Sequence, residues 1–290
     1  MNVRILFFLF SFLVISSAFA PTGNPDTYQW YTSEGKKTDW DKIVKEMLEA
    51  DVVFFGEQHN DLIAHWFELK LAEAAFEAKG MNLVLGCEMF ESDDQLVLNE
   101  YLAGIINDKK LKENARLWDN HATDYAPLVQ FAKKNHLPLI ATNTPRRYAS
   151  VVFGGGFEAL DSLSPEAKSY LPPLPILYDT SVNCYNALLH APMGGHSSEN
   201  LPKAQALKDA TMAHFILRNL ESGKFFYHWN GSYHSDNHEG IVWYLKQARP
   251  DLKIYVISTI SQKGLKELET ENKGKGNAIL VTDETFPTSY

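Results

Sequence analysis

Six short apolar runs, separated by stretches with helical periodicity, constrain the fold of this chain most. The runs are 51–56 (DVVFFG), 82–88 (NLVLGCE), 137–142 (LPLIAT), 225–230 (FFYHWN), 253–259 (KIYVIST) and 277–282 (NAILVT). None alternates strictly between apolar and polar residues, which suits strands covered on both faces. Between them, 61–79 sets Ile63, Phe67, Leu71, Ala74, Ala75 and Ala78 at helical spacing and ends at Gly80. Stretches 92–106, 124–135, 203–221 and 236–248 read the same way. Asp39 can cap a short helix over 40–49, and Pro250 stops the helix before it. This alternation predicts an α/β fold with a mostly parallel central sheet and helices on both faces.

Two regions stand outside the alternation. Residues 5–15 (ILFFLFSFLVI) form an apolar run after Arg4, and small residues follow at Ser16, Ser17, Ala18 and Ala20. That order predicts a secretory signal peptide over 1–20 and an exported, periplasmic protein. The run is short of the roughly 20 apolar residues that span a bilayer. No cysteine follows it to carry a lipid anchor. The remaining 21–290 suits a single α/β domain. Within it, 143–200 is rich in proline and glycine and too long for an ordinary connection. It also carries Tyr148, Phe153, Phe157, Tyr170, Tyr178 and Tyr185, so a helical insertion at about 144–222 is expected, a lid over the sheet edge. The tail 284–290 reads as peripheral. A net charge of −9 without a basic stretch argues against nucleic acid as a partner. The two cysteines, Cys87 and Cys184, are read as buried and unpaired.

In an open parallel sheet, ligands bind beyond the carboxyl ends of the strands, and here those ends are polar. The first run leads into Glu57-Gln58-His59-Asn60-Asp61, the second into Glu88-Met89-Phe90-Glu91, and the third into Asn143-Thr144-Pro145-Arg146-Arg147-Tyr148. The fourth leads into Gly231-Ser232-Tyr233-His234-Ser235-Asp236-Asn237-His238. Glu57 and His59 can bind a divalent metal ion or polarise water, with Glu57 as a general base; alternatively Glu57 or Asp61 caps the next helix. Glu88 closes an apolar strand and needs a partner, for which Arg146 or Arg147 is a candidate. His234 and His238 share a face if helix begins near Ser235, which makes them candidate metal ligands beside His59. The chain has no GxSxG elbow, no P-loop and no GxGxxG fingerprint. The aromatic and arginine content of the insertion suits a flat apolar ligand bearing carboxylates, a description haem meets: tyrosinate ligates ferric haem and arginine pairs with propionates.

The segments GEQHND (56–61), EMF (88–90), NTPRRYA (143–149), DATMAH (209–214) and GSYHSDNHEG (231–240) resemble the ChaN-like haem-binding family in order and spacing, over about residues 45–285. The resemblance implies an exported bacterial protein of haem or iron uptake, often membrane-associated, working with outer-membrane uptake proteins. It implies haem as ligand, stacked in pairs across a haem-bridged homodimer, each iron held by a tyrosine. Tyr148, Tyr178, Tyr185 and Tyr233 are the candidates for that tyrosine, with Arg146 and Arg147 near the propionates. The family is also similar to erythromycin esterases and Tiki metalloproteases. That wider resemblance implies a metal-dependent hydrolase centre on Glu57, His59 and His234, joined by Glu88.

Overall fold

The computed structural model describes residues 26–190 and 199–290. The expected signal peptide lies outside the described residues.

Among the described residues, seven strands form one sheet: β1 (Tyr28–Thr32), β2 (Val52–Glu57), β3 (Leu83–Glu91), β4 (Leu139–Asn143), β5 (Phe225–Gly231), β6 (Ile254–Gln262) and β7 (Ala278–Asp283), in the spatial order β1-β7-β6-β2-β5-β3-β4. All neighbours pair in parallel except β1, which runs antiparallel to β7. The sequence hid β1 because YQWYT is short and partly exposed, so it lacks the run of buried residues that marks the others.

Among the described residues, ten α-helices accompany the sheet: α1 (Trp40–Met47), α2 (Leu62–Lys79), α3 (Gln95–Leu102), α4 (Asp108–Asn114), α5 (Ala126–Lys134), α6 (Arg146–Gly155), α7 (Pro165–Lys168), α8 (Asn183–His190), α9 (Leu201–Asn219) and α10 (Ile241–Ala248). Helices α1 to α5 bury Ile43, Phe67, Leu71, Leu98 and Leu128 against Val53, Phe55, Leu85 and Tyr227 on one face. The insertion supplies α6 to α9, which with α10 bury Tyr148, Val152, Tyr185, Leu207 and Leu245 against Val52, Phe54, Phe226 and Val256 on the other. Successive residues of β2 thus feed opposite cores, as a strand covered on both sides requires. The insertion is therefore the second layer of the fold as well as a lid.

Local signals act as expected at two helix starts: Asp39 accepts from the Lys42 amide, and Asp61 accepts from the Ile63 and Ala64 amides. One start differs. Helix α10 begins at Ile241, because Asn237, His238 and Gly240 all adopt positive φ and break the chain into a tight turn first. His234 and His238 consequently do not share a helix face. Cys87 is buried and Cys184 partly buried, and both are free.

Candidate functional site

The carboxyl ends of β2, β3 and β5 open into a cleft of about 1110 Å³ lined by Glu57, His59, Glu88, Arg146, Lys208, Tyr233 and His234, among others. The tail, expected to be peripheral, returns to this cleft. Thr288 bridges to Asp61, the Ser289 amide donates to the Asn60 carbonyl at 3.0 Å, and Ser289 and Tyr290 join the lining.

Glu57 ends β2 pointing into the α2 side of the sheet and is 1% exposed. Its Oε1 accepts from the Tyr125 hydroxyl at 2.6 Å and lies 2.7 Å from His59 Nδ1. Its Oε2 lies 3.3 Å from Nδ1 of His65, whose same nitrogen is 2.9 Å from Glu68 Oε2. Burial, reinforced by the neighbouring Glu68, pushes the Glu57 carboxyl up to about 8, and burial pushes Glu68 to about 8 as well. His59 follows at the turn, half-buried, its ring centre 4.8 Å from that of Trp118 in an edge-on contact. Burial works to lower its pKa, but the hydrogen bond and charge of Glu57, with the charge of Glu88, together outweigh this and raise it.

Glu88 sits where β3 shifts register beside β4, and it points to the opposite side of the sheet from Glu57. Its Oε2 accepts from the Gly231 amide at 2.8 Å, and its Oε1 lies 3.3 Å from His234 Nε2. On its other side His234 places Nδ1 2.5 Å from Asp209 Oδ1, and Asp209 Oδ2 accepts from the Tyr185 hydroxyl at 2.7 Å. Burial would neutralise His234, but the two carboxylates win and raise it to about 10. Burial likewise opposes ionisation of Glu88, yet His234 holds it well below the usual carboxylate range. Gly231 lets the His59 ring lie close between the two halves, since a Cβ there would meet His59 Nε2 at 2.8 Å and displace the ring.

The structure gathers Glu57, His59, Glu88 and His234 at one cleft, with Arg146 and Tyr233 on its wall. Arg147, Tyr148, Tyr178, Tyr185 and His238 are not in the lining. The partner of Glu88 is His234 rather than an arginine. Arg146 pairs with Glu91 at 2.5 Å and Arg147 with Asp93 at 2.5 Å, because β3 continues past Glu88 and carries these acids to the start of α6. His238 Nε2 lies 3.0 Å from Asn277 Oδ1 instead. His228, inside β5, is fully buried between Asn230 and Thr142, and burial lowers it to about 4. Of the three candidate metal ligands, His59 and His234 line the cleft and His238 does not, and each ring nitrogen of His234 faces a carboxylate.

Sequence reasoning missed His65, Glu68, Asp124, Tyr125 and Asp209. Among the described residues, Glu57, His65 and Glu68 form a buried His/Glu/Glu cluster that could coordinate a metal ion, with ligand atoms within 4.8 Å of one another. The available signal was positional: His65 and Glu68 fall on the stripe of Ala64, Leu71, Ala72 and Ala75 that faces the core.

Fold and site together define an α/β protein of one mostly parallel sheet, with an acid–base cleft under a helical insertion. The family described as haem-binding uptake, Tiki superfamily, ChaN matches residues 43–245, and the chain belongs to it. The solved structure of cofacial haem binding to ChaN of Campylobacter jejuni is similar in fold, with a TM-score of 0.64 at 18% identity, covering 89% of this chain and 97% of that one. An erythromycin esterase EreC mutant in its open conformation is more distant, with a TM-score of 0.45 at 11% identity, covering 88% and 83%. The chloroplastic protein RETICULATA-RELATED 5 of Arabidopsis thaliana is 25% identical over 202 residues, 65% of this chain. The chain spans 27% of the length of that relative. Among the described residues no helix is long and apolar enough to cross a membrane.

Proposed function

We propose that this protein binds haem and serves haem or iron uptake in the periplasm, beside outer-membrane uptake proteins. Family membership over residues 43–245 carries the reading, and the Campylobacter ChaN structure lends its cofacial haem as the mode of binding. The lid supplies suitable chemistry. Arg147 and Val151, four residues apart, share the exposed face of α6, and the buried Tyr148 lies beside it. The Arg147 guanidinium lies 4.4 Å from the Tyr148 ring centre and donates to its hydroxyl at 3.2 Å. A tyrosine oxygen held by an arginine is a candidate axial ligand, since tyrosine oxygen ligates ferric haem. The other candidates are more committed: the Tyr185 hydroxyl donates to Asp209, the Tyr233 hydroxyl to the Cys184 carbonyl, and burial raises Tyr178. Arg146 and Arg147 are exposed enough to exchange Glu91 and Asp93 for propionates. Titrating the mature protein with ferric haem should raise a Soret band, weakened in Tyr148→Phe, with a haem-dependent doubling of mass. The absence of any haem-dependent absorbance change at micromolar protein ends the reading.

One observation favours a second reading, hydrolysis by acid–base chemistry in the cleft: His59, backed by Glu57, and His234, backed by Asp209, both approach Glu88. Glu57 orients His59 for proton transfer at its cleft-facing side, and the charged His234 stabilises a developing anion. Turnover of a panel of ester and amide probes, lost in His59→Ala, is the expected result. No turnover by the wild-type protein on any probe removes this reading and leaves haem binding untouched.

A further inference from the structure

Behind Glu57, on the side away from the cleft, three buried carboxyl groups converge on one imidazole. Glu57 Oε2, Glu68 Oε1 and Asp124 Oδ1 are buried without a hydrogen-bond partner, and their residues are 1%, 0% and 2% exposed. All three carboxylates surround His65, itself 7% exposed. A buried unsatisfied oxygen is costly, more so when charged.

The tautomer of His65 sharpens the problem. Its Nε2 lies 3.2 Å from the carbonyl oxygen of His59, which can only accept, so Nε2 carries a proton. In the neutral ring Nδ1 then bears a lone pair, aimed at Glu68 Oε2 at 2.9 Å and Glu57 Oε2 at 3.3 Å. A second proton on Nδ1 would serve the nearer oxygen and still leave Glu68 Oε1 and Asp124 Oδ1 without partners. A cation held by Glu57, His65 and Glu68, whose ligand atoms lie within 4.8 Å of one another, answers the deficits at both glutamates.

We propose that Glu57, His65 and Glu68, with Asp124 behind them, form an interior site for one divalent transition-metal ion. One imidazole nitrogen and several carboxylates, without thiolate, suit Mn²⁺, Fe²⁺ or Zn²⁺. The surroundings are those of a metal histidine, whose other N–H is held by a carbonyl or carboxylate. His65 Nε2 meets the His59 carbonyl, and Asn120 Nδ2 ties that carbonyl, at 2.8 Å, to Asp124 Oδ2, at 2.7 Å. Ser289 Oγ donates to the same Asp124 oxygen at 2.7 Å. The site is closed, so the ion holds structure rather than meeting substrate. Glu57 is shared, with Oε2 on the ion and Oε1 on His59 at the cleft wall. The inference stands apart from haem binding, because none of these residues belongs to the lid.

Metal analysis of protein purified without added metal should find about one transition-metal ion per chain. After chelation, Mn²⁺ or Zn²⁺ added alone should rebind at that ratio and raise the melting temperature. Glu68→Gln, nearly isosteric, should weaken rebinding at least about tenfold, on the scale that supporting residues alone can reach, while His238→Ala leaves it unchanged. Asp124→Asn is the second variant should Glu68→Gln fail to fold. Two results overturn the proposal. One is a chelated wild-type protein that neither binds Mn²⁺, Fe²⁺ nor Zn²⁺ nor melts differently in their presence. The other is stoichiometric binding that folded Glu68→Gln retains in full, which places the ion elsewhere.

Discussion

Glu57 ends β2 and Glu88 lies near the carboxyl end of β3, and both strands flank β5, yet the two carboxyls are in opposite states near neutral pH. Both are almost completely buried. Glu57 faces the α2 side, where its company is a second carboxyl, a phenol and two imidazoles, and burial raises it to about 8. Glu88 faces the α9 side, where the His234 ring lies between it and Asp209, and it stays ionised. Burial is the same on the two sides, so it cannot set the difference. The deciding quantity is whether a cation from the chain is locked in contact. The Glu88 side is complete as it stands, whereas the Glu57 side lacks the positive charge that its acceptors call for.

The largest test of that contrast removes the cation from the complete side. His234→Ala leaves Glu88 and Asp209 buried with their shared counter-charge gone, and breaking a buried ion pair costs about 3–5 kcal/mol. Glu68→Gln in chelated protein removes a carboxyl that burial already disfavours as an anion, and should change stability by no more than about 1 kcal/mol. Denaturant melts of the two variants measure both. Equal losses would show that His234 contributes nothing that a neutral residue cannot.

A pH series sharpens the same contrast with a smaller effect. The pKa of His234 is raised from about 6.5 to about 10 in the fold. Its contribution is therefore full below about 6.5 and fades as pH rises toward 10. Glu88 is shifted the other way, so its contribution is full above about 4.5 and fades as pH falls. Stability from this pair should be greatest between those limits and drop by roughly 3 kcal/mol by pH 9, at 1.36 kcal/mol per unit. The alkaline drop should vanish in His234→Ala. Its survival there would assign the titration to another group.

The contrast also separates what the sequence could say from what it could not. Strands β2 to β7 were legible because each carries an unbroken apolar run, and the polar residues after β2, β3 and β5 were legible because polarity at a buried strand end is unusual. Pairing was not. Arg146 and Arg147 looked like partners for Glu88 by type, but the register shift after Cys87 sends Glu91 and Asp93 to them. His65 and Glu68 stand on the core-facing stripe of α2, but the spacing that shows them facing the core does not tell that Glu57 meets them there. His238 looked like a companion of His234 at helical spacing, and only the positive φ values at Asn237, His238 and Gly240 undo that.

The smallest predicted effect concerns the reach of each side. The turn behind His234 also carries Glu239, whose Oε1 accepts from the Asn183 amide at 3.3 Å and its side-chain amide at 2.8 Å, while Oε2 accepts from the Cys184 amide at 2.7 Å. Glu239 thus caps α8, and α8 returns the favour through Tyr185, whose hydroxyl donates to Asp209. The Glu88 side is in this way tied to the lid, while the Glu57 side is tied to α2 and the tail. Glu239→Ala should cost about 1 kcal/mol, the usual loss of a capping group. Hydrogen exchange should quicken at the amides of Asn183 and Cys184 and through the first turn of α8, with exchange in α2 around His65 and Glu68 unchanged. Were α2 to loosen equally, the two sides would form one cooperative unit, and the opposite states of Glu57 and Glu88 could no longer be treated as independent local outcomes.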